Sequence, residues 1–71
     1  MSARDRIAAV FRKRRRVWVS ALVLMHTGGL LSWRTDISRC RTELGMRRIE
    51  NRLDHTRHGI RSYYRYMGRT S

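Results

Sequence analysis

Seventy-one residues fit one small domain, in which any core must be economical because a chain this short buries only about 60% of the surface its unfolded form exposes. The 17 basic residues outnumber the 5 acidic ones for a formal net charge of +12, and Lys13 is the only lysine. Such an excess repels itself in a compact monomer unless a polyanion neutralises it, and so short a chain leaves no room for a large substrate cleft.

The first element in chain order is a helix. Ser2 followed by Asp5 resembles a capping box, and Ile7, Ala8, Val10 and Phe11 form an apolar stripe that ends among Arg12 to Arg16. The basic run "RKRRR" then reads as a helix end lying beside an anion-binding surface. "RVWVS" follows, with β-branched and aromatic residues that suit a short strand over Val17–Val19. Ser20 caps a second helix from Ala21 through His26, with Leu22, Val23 and Met25 as its buried side and Gly28 and Gly29 ending it.

Residues 16–33 can also be read as one apolar helix of a small membrane or interaction protein. Against that reading, the uncharged run extends only from Val17 to Trp33, short of the roughly 20 residues a span needs. His26, Thr27, Gly28 and Gly29 fall together in its second half, and basic residues flank both sides, so the positive-inside asymmetry is weak. A signal peptide fits no better, since a long charged preamble comes first and no small-x-small site follows.

Ser32 is placed to cap a third helix running to about Leu44, with Gly45 ending it. Trp33, Ile37, Cys40 and Leu44, at steps of four, three and four, share one narrow face. The other face presents Thr35, Ser38 and Thr42 bordered by Arg34, Arg39 and Arg41. Short hydroxyls let a helix backbone approach a major groove, and arginines reach guanine edges or phosphates. A solvated basic helix is the plain alternative. Asp36 sits beside this face, where it repels phosphate, pairs with Arg39 or accepts from a cytosine amino group.

From Met46 the period shifts toward two. Ile49, Asn51 and Leu53 alternate with Arg48, Glu50 and Arg52, and Ile60, Ser62, Tyr64 and Tyr66 alternate with Arg61, Tyr63 and Arg65. Two strands result, joined by "DHTRHG", whose tip carries His55, Arg57 and His58 between Asp54 and Gly59. Arg52 and Arg61 flank that tip as further phosphate contacts. Ile49, Leu53, Thr56, Ile60, Tyr63 and Met67 also fit a helical spacing, with Gly59 as the main objection. In the strand reading Tyr64 and Tyr66 cover the core and Tyr63 is exposed.

Helix, strand, helix, helix, strand, strand is the order of an α+β winged helix-turn-helix domain. The quoted pieces, "VWVS" at 17–20, "GG" at 28–29, "SWRTDISRCRTELGMRRIENR" at 32–52 and "SYYRY" at 62–66, resemble those of small phage and prophage winged-helix proteins over about residues 16–67. The resemblance implies double-stranded DNA binding, with residues 33–44 as the recognition helix and 46–67 as the wing. It puts Arg34, Thr35 and Ser38 toward the groove and Ile37, Cys40 and Ile49 in the core. The expected role is a sequence-specific transcriptional regulator of phage type, acting on the nucleoid in a bacterial cytoplasm. An excisionase-like factor that bends DNA is the alternative.

The single domain is expected to span 1–71 with loose ends at 1–3 and 68–71, and a homodimer on DNA is possible. Five acids and three histidines scattered in this way assemble no catalytic constellation, so neither an enzyme nor a small-molecule substrate is expected. No cofactor and no metal is expected either, because His26 lies far in sequence from His55 and His58. Cys40 lies on the apolar seam and reads as core.

Overall fold

The computed structural model describes residues 2–68, so Met1 and residues 69–71 of the two expected loose ends lie outside the described residues. The chain is α+β, with three helices and a three-stranded antiparallel sheet of order β1-β3-β2.

Helix α1 spans Ala3–Lys13. Ser2 Oγ accepts from the Asp5 amide at 3.2 Å, Asp5 sits in the first turn, and Arg12 and Lys13 sit in the last, all favourable to the helix dipole. Ile7, Ala8 and Phe11 are fully buried on its inner side. Residues 14–17 then turn the chain, with Val17 donating to the Arg14 carbonyl at 3.1 Å and Arg16 to the Tyr66 carbonyl at 2.8 Å. The turn uses up Val17, which is 54% exposed, so β1 is confined to Val19–Ser20 rather than Val17–Val19.

Helix α2 spans Ala21–Gly28, and Ser20 Oγ accepts from the Leu22 amide at 3.2 Å. Its buried side differs from the expected one. Leu24 and Gly28 are buried, Met25 packs partly against the core, and Leu22 and Val23 face outward. The cause is a close approach of α1, because a Cβ at Gly28 would fall 2.5 Å from Ile7 Cδ1. Gly28 therefore belongs to the helix and fixes the face that points inward. Gly29, at φ +116°, ends it. The run read alternatively as one apolar helix over 16–33 is thus divided among a turn, β1, α2 and a second turn. Among the described residues no helix is long and apolar enough to cross a membrane.

Helix α3 spans Trp33–Glu43 and buries Trp33, Ile37 and Cys40 as the seam predicts. Ser32 precedes it without capping an amide. Its hydroxyl donates instead to Asp36 Oδ2 at 3.3 Å. Asp36 is only 4% exposed, beneath the helix and not beside its outer face as the sequence suggests, because the space left by the missing side chain of Gly28 admits the carboxylate.

Strands β2 (Ile49–Thr56) and β3 (Gly59–Tyr66) pair along their whole length, so the helical reading of this segment does not hold. The ladder runs to Thr56 opposite Gly59, which shortens the turn to Arg57 and His58 and leaves Asp54 within the sheet opposite Arg61. Gly59 takes φ +118°, a conformation that favours glycine. Thr56 Oγ1 ties the turn by accepting from the His58 amide and donating to the Gly59 carbonyl. Val19 pairs with Tyr64, and Tyr64 meets the Trp33 ring edge-on at 5.9 Å between centroids. The base of the sheet thus rests on the helices through Ile49, Val19, Tyr64 and Tyr66.

Candidate nucleic-acid interface

The outer face of α3 is set by the seam beneath it. With Trp33, Ile37 and Cys40 fixed inward, Arg34, Thr35, Ser38 and Thr42 must point away from the core, and all four are exposed. Thr42 Oγ1 bonds back to the Ser38 carbonyl at 3.1 Å, which keeps that side chain close to the helix. The Arg34 guanidinium lies over the Trp33 ring, 5.1 Å from its centroid.

The two remaining arginines of this helix are held elsewhere. Arg39 Nε contacts Glu43 Oε2 at 2.9 Å, a pair one helical turn apart. Arg4 adds a second contact to the same carboxylate at 2.6 Å, so Arg39 first and Arg4 second hold the Glu43 carboxyl below its usual range. Arg41 is half-buried and donates to the Ile49 carbonyl at 2.9 Å. Four residues after Ile37 and three before Leu44, it occupies the flank of α3 that faces β2, and not the outer face assigned to it from sequence.

The residues expected at the hairpin tip do gather there. His55, Arg57, His58 and Arg61 are exposed at the far end of the ladder. Arg52 lies nearer the base, its guanidinium 4.7 Å from the Trp18 ring centroid and 5.3 Å from that of Tyr63, with Asp54 Oδ1 at 3.2 Å. Arg65 covers Trp18 as well, at 4.3 Å, and meets Glu50 at 2.6 Å. Trp18, Arg52, Tyr63 and Arg65 thus form a stacked array on the outer surface of the sheet. Tyr63 is consequently half-buried rather than exposed.

Between α2, with the first turn of α3, and the hairpin lies an open groove of about 280 Å³. Leu22, Met25, Trp33 and Arg34 line its helical side, and His58, Ile60 and Arg61 line the other. Residues far apart in sequence are thereby brought to one cleft. Its lining is apolar at Leu22, Met25, Trp33 and Ile60 and cationic at Arg34 and Arg61.

All five carboxylates have partners of their own, and one of them, Asp54, lies beside the groove, opposite Arg61 in the ladder. Asp5 meets Arg4, Glu43 meets Arg4 and Arg39, Glu50 meets Arg65, Asp54 meets Arg52, and Asp36 is buried against Ser32. Arg34, Arg57 and Arg61 therefore keep their charge open to solvent. Cys40 is buried, its thiol donating to the Arg4 carbonyl at 3.4 Å, and burial raises its pKa. It packs as core.

Comparison with protein-family models, with curated proteins and with solved structures gave no match.

Proposed function

We propose that the protein is a winged helix-turn-helix protein that binds double-stranded DNA in a sequence-dependent manner, as a small regulator of phage type. It acts by binding alone, on the nucleoid in a bacterial cytoplasm. In this reading α3 is the recognition helix and the β2–β3 hairpin is the wing. The observation that carries it is the uncovered hydroxyl face of α3, at whose start Arg34 lines one groove with His58 and Arg61 of the hairpin. Thr35, Ser38 and Thr42 are short enough for the helix backbone to enter a major groove about 12 Å wide. Arg34 at the start of the helix reaches a base edge, with guanine O6 and N7 as the favoured acceptors. Arg57 and Arg61, with the backbone of the turn, hold phosphates on the flank of that groove. Arg39 joins them once phosphate competes with Glu43 for its guanidinium. A homodimer on DNA is compatible with this arrangement.

The test is affinity for a selected duplex and for random duplexes across a salt series. Arg34→Ala is expected to cost about 1 to 3 kcal/mol on the selected site and much less on random DNA. Arg57→Ala is expected to weaken both equally and to lower the salt slope by about 1, since one fewer counterion is released. Equal losses on both duplexes for Arg34→Ala would reject its base-reading role. A parent protein with no preference among duplexes would favour the excisionase-like architectural factor, and one that binds no duplex would reject the whole reading.

A further inference from the structure

Seven exposed basic residues cluster at the end of the sheet opposite the hairpin tip. Arg12, Lys13, Arg14, Arg15 and Arg16 run from the last turn of α1 into the loop before β1, and Arg47 and Arg48 immediately precede β2. Backbone bonds join the two groups: Arg16 donates to the Tyr66 carbonyl at 2.8 Å, and Met67 donates to the Arg48 carbonyl at 3.0 Å. The last residues of β3 therefore lie between them. From sequence this basic run reads as lying beside the DNA-binding surface, but the ladder places it at the far end. Its eight residue pairs, at about 3.3 Å each, put roughly 23 Å between the first pair and the last.

The cluster is built into the fold. Arg16 is the one non-glycine residue among those described with a positive φ, at 67°, a conformation that costs free energy unless its surroundings hold it. Its amide bond to Tyr66 supplies that hold. Next to it the stem of Arg15 lies against Gly68, where a Cβ would come within 2.8 Å of Arg15 Cδ. Gly68 is buried at φ +83°. Since every acidic side chain is engaged elsewhere, none of these seven charges has a carboxylate partner among the described residues. Seven like charges held on a fixed surface repel one another, and a row of phosphates removes that repulsion.

We propose that this cluster is a second DNA-binding surface, which holds the backbone of a separate duplex segment while α3 and the hairpin tip occupy the first. The inference rests on the DNA-binding reading. Six of the seven residues are arginines, whose planar forks match phosphate oxygens. The separation of roughly 23 Å between cluster and hairpin tip exceeds the width of one major groove, about 12 Å, so the cluster meets phosphates other than those the tip holds. A bilayer fits less well, because the neighbouring aromatic Trp18 is already in contact with the Arg52 and Arg65 guanidinium groups. One molecule of this kind joins two DNA segments without a dimer.

The experiment is duplex bridging by the full chain. One duplex is immobilised, protein is added at low salt, and capture of a second, labelled duplex is measured. The variant Arg12→Gln/Arg14→Gln/Arg47→Gln/Arg48→Gln removes charge while keeping polar stems, and the corresponding Lys variant keeps the charge. The parent and the Lys variant are expected to capture the second duplex. The Gln variant, with an unchanged circular dichroism spectrum, is expected to bind the immobilised duplex yet lose about tenfold or more of the capture, on the steep dependence of affinity on phosphate contacts. Capture by the Gln variant equal to the parent would overturn the proposal, since a dimer would then be the bridge. So would a parent that binds one duplex and captures no second, or one that prefers vesicles of phosphatidylserine and phosphatidylcholine to duplex at equal phosphate. None of these outcomes touches the role of α3. Failure to bind the first duplex would instead reject the DNA-binding reading itself.

Discussion

At its base the β2–β3 hairpin is gripped on both faces, by Ile49, Tyr64 and Tyr66 against the helices and by Trp18 against Arg52 and Arg65 on the outside. Toward the tip the same ladder has nothing over it, and Leu53 and Ile60 are 55% and 63% exposed. One strand pair therefore serves two purposes. The base contributes to folding and fixes the direction of the hairpin, while the tip leaves apolar and cationic groups open to solvent. The two ends also differ in how their arginines are used, since Arg52 and Arg65 have carboxylate and aromatic partners whereas Arg57 and Arg61 face solvent.

Substitutions that separate core, base and tip sharpen this contrast. The largest effect belongs to Ile37→Asp, which puts an unpaired charge into the seam with Trp33 and Cys40. A loss of several kcal/mol is expected, on the order of the whole stability of a domain this small. A cooperative melt at the parent temperature would show that the seam of α3 is misassigned. Next comes Trp18→Ala, which removes an aromatic surface and two cation–π contacts and is expected to cost about 2 kcal/mol. It should also speed amide exchange in residues 52–61, because the hairpin loses its outer clamp. Ile60→Ser, at the tip, should change stability by no more than about 0.5 kcal/mol. If thermal denaturation ranks these two in the opposite order, the division into a gripped base and a free tip fails.

The smallest effect is a pH dependence. Glu43 titrates below its usual range in the folded chain because Arg39 and Arg4 bond its carboxylate, so the folded state binds this proton less readily than the unfolded state. The stabilisation is present above the ordinary glutamate pKa of about 4.3 and is lost as pH falls through that value and the lower folded one. Glu43→Gln should leave a flatter melting-temperature profile between pH 5 and pH 3, about those limits being set by the same linkage. The effect is modest because the pair is exposed and salt screens it. An unchanged acid limb in the variant would assign the loss to other carboxylates.

Much of the fold was legible where the sequence carried a clear period. The α1 stripe and the Trp33–Cys40 seam each pointed to one element and one buried face, while the alternation from Ile49 onward favoured two strands over a helix of similar spacing, with Gly59 as the deciding residue. Helix α2 gave no such signal, because Leu22, Val23, Leu24 and Met25 are all apolar, and only the approach of Ile7 to Gly28 selects Leu24. Asp36 was misplaced for a related reason. Its burial depends on the gap above Gly28, a feature of helix packing with no local signature. Of the candidate site, the exposure of the α3 face and of the hairpin tip was legible. The groove that Arg34 shares with His58 and Arg61, the retreat of Arg41 to Ile49 and the stacking of Trp18 depend on contacts between distant segments, as does the placing of the basic run at the far end of the ladder.

The central claim, that α3 and the hairpin tip form one DNA-contacting surface, is tested most directly by amide chemical-shift mapping of the full chain titrated with a short duplex. The largest shifts are expected at Arg34, Thr35, Ser38 and Thr42 together with Arg57, His58 and Arg61, all from one binding event. Shifts confined to residues 12–16 and 47–48, with α3 unperturbed, would contradict it.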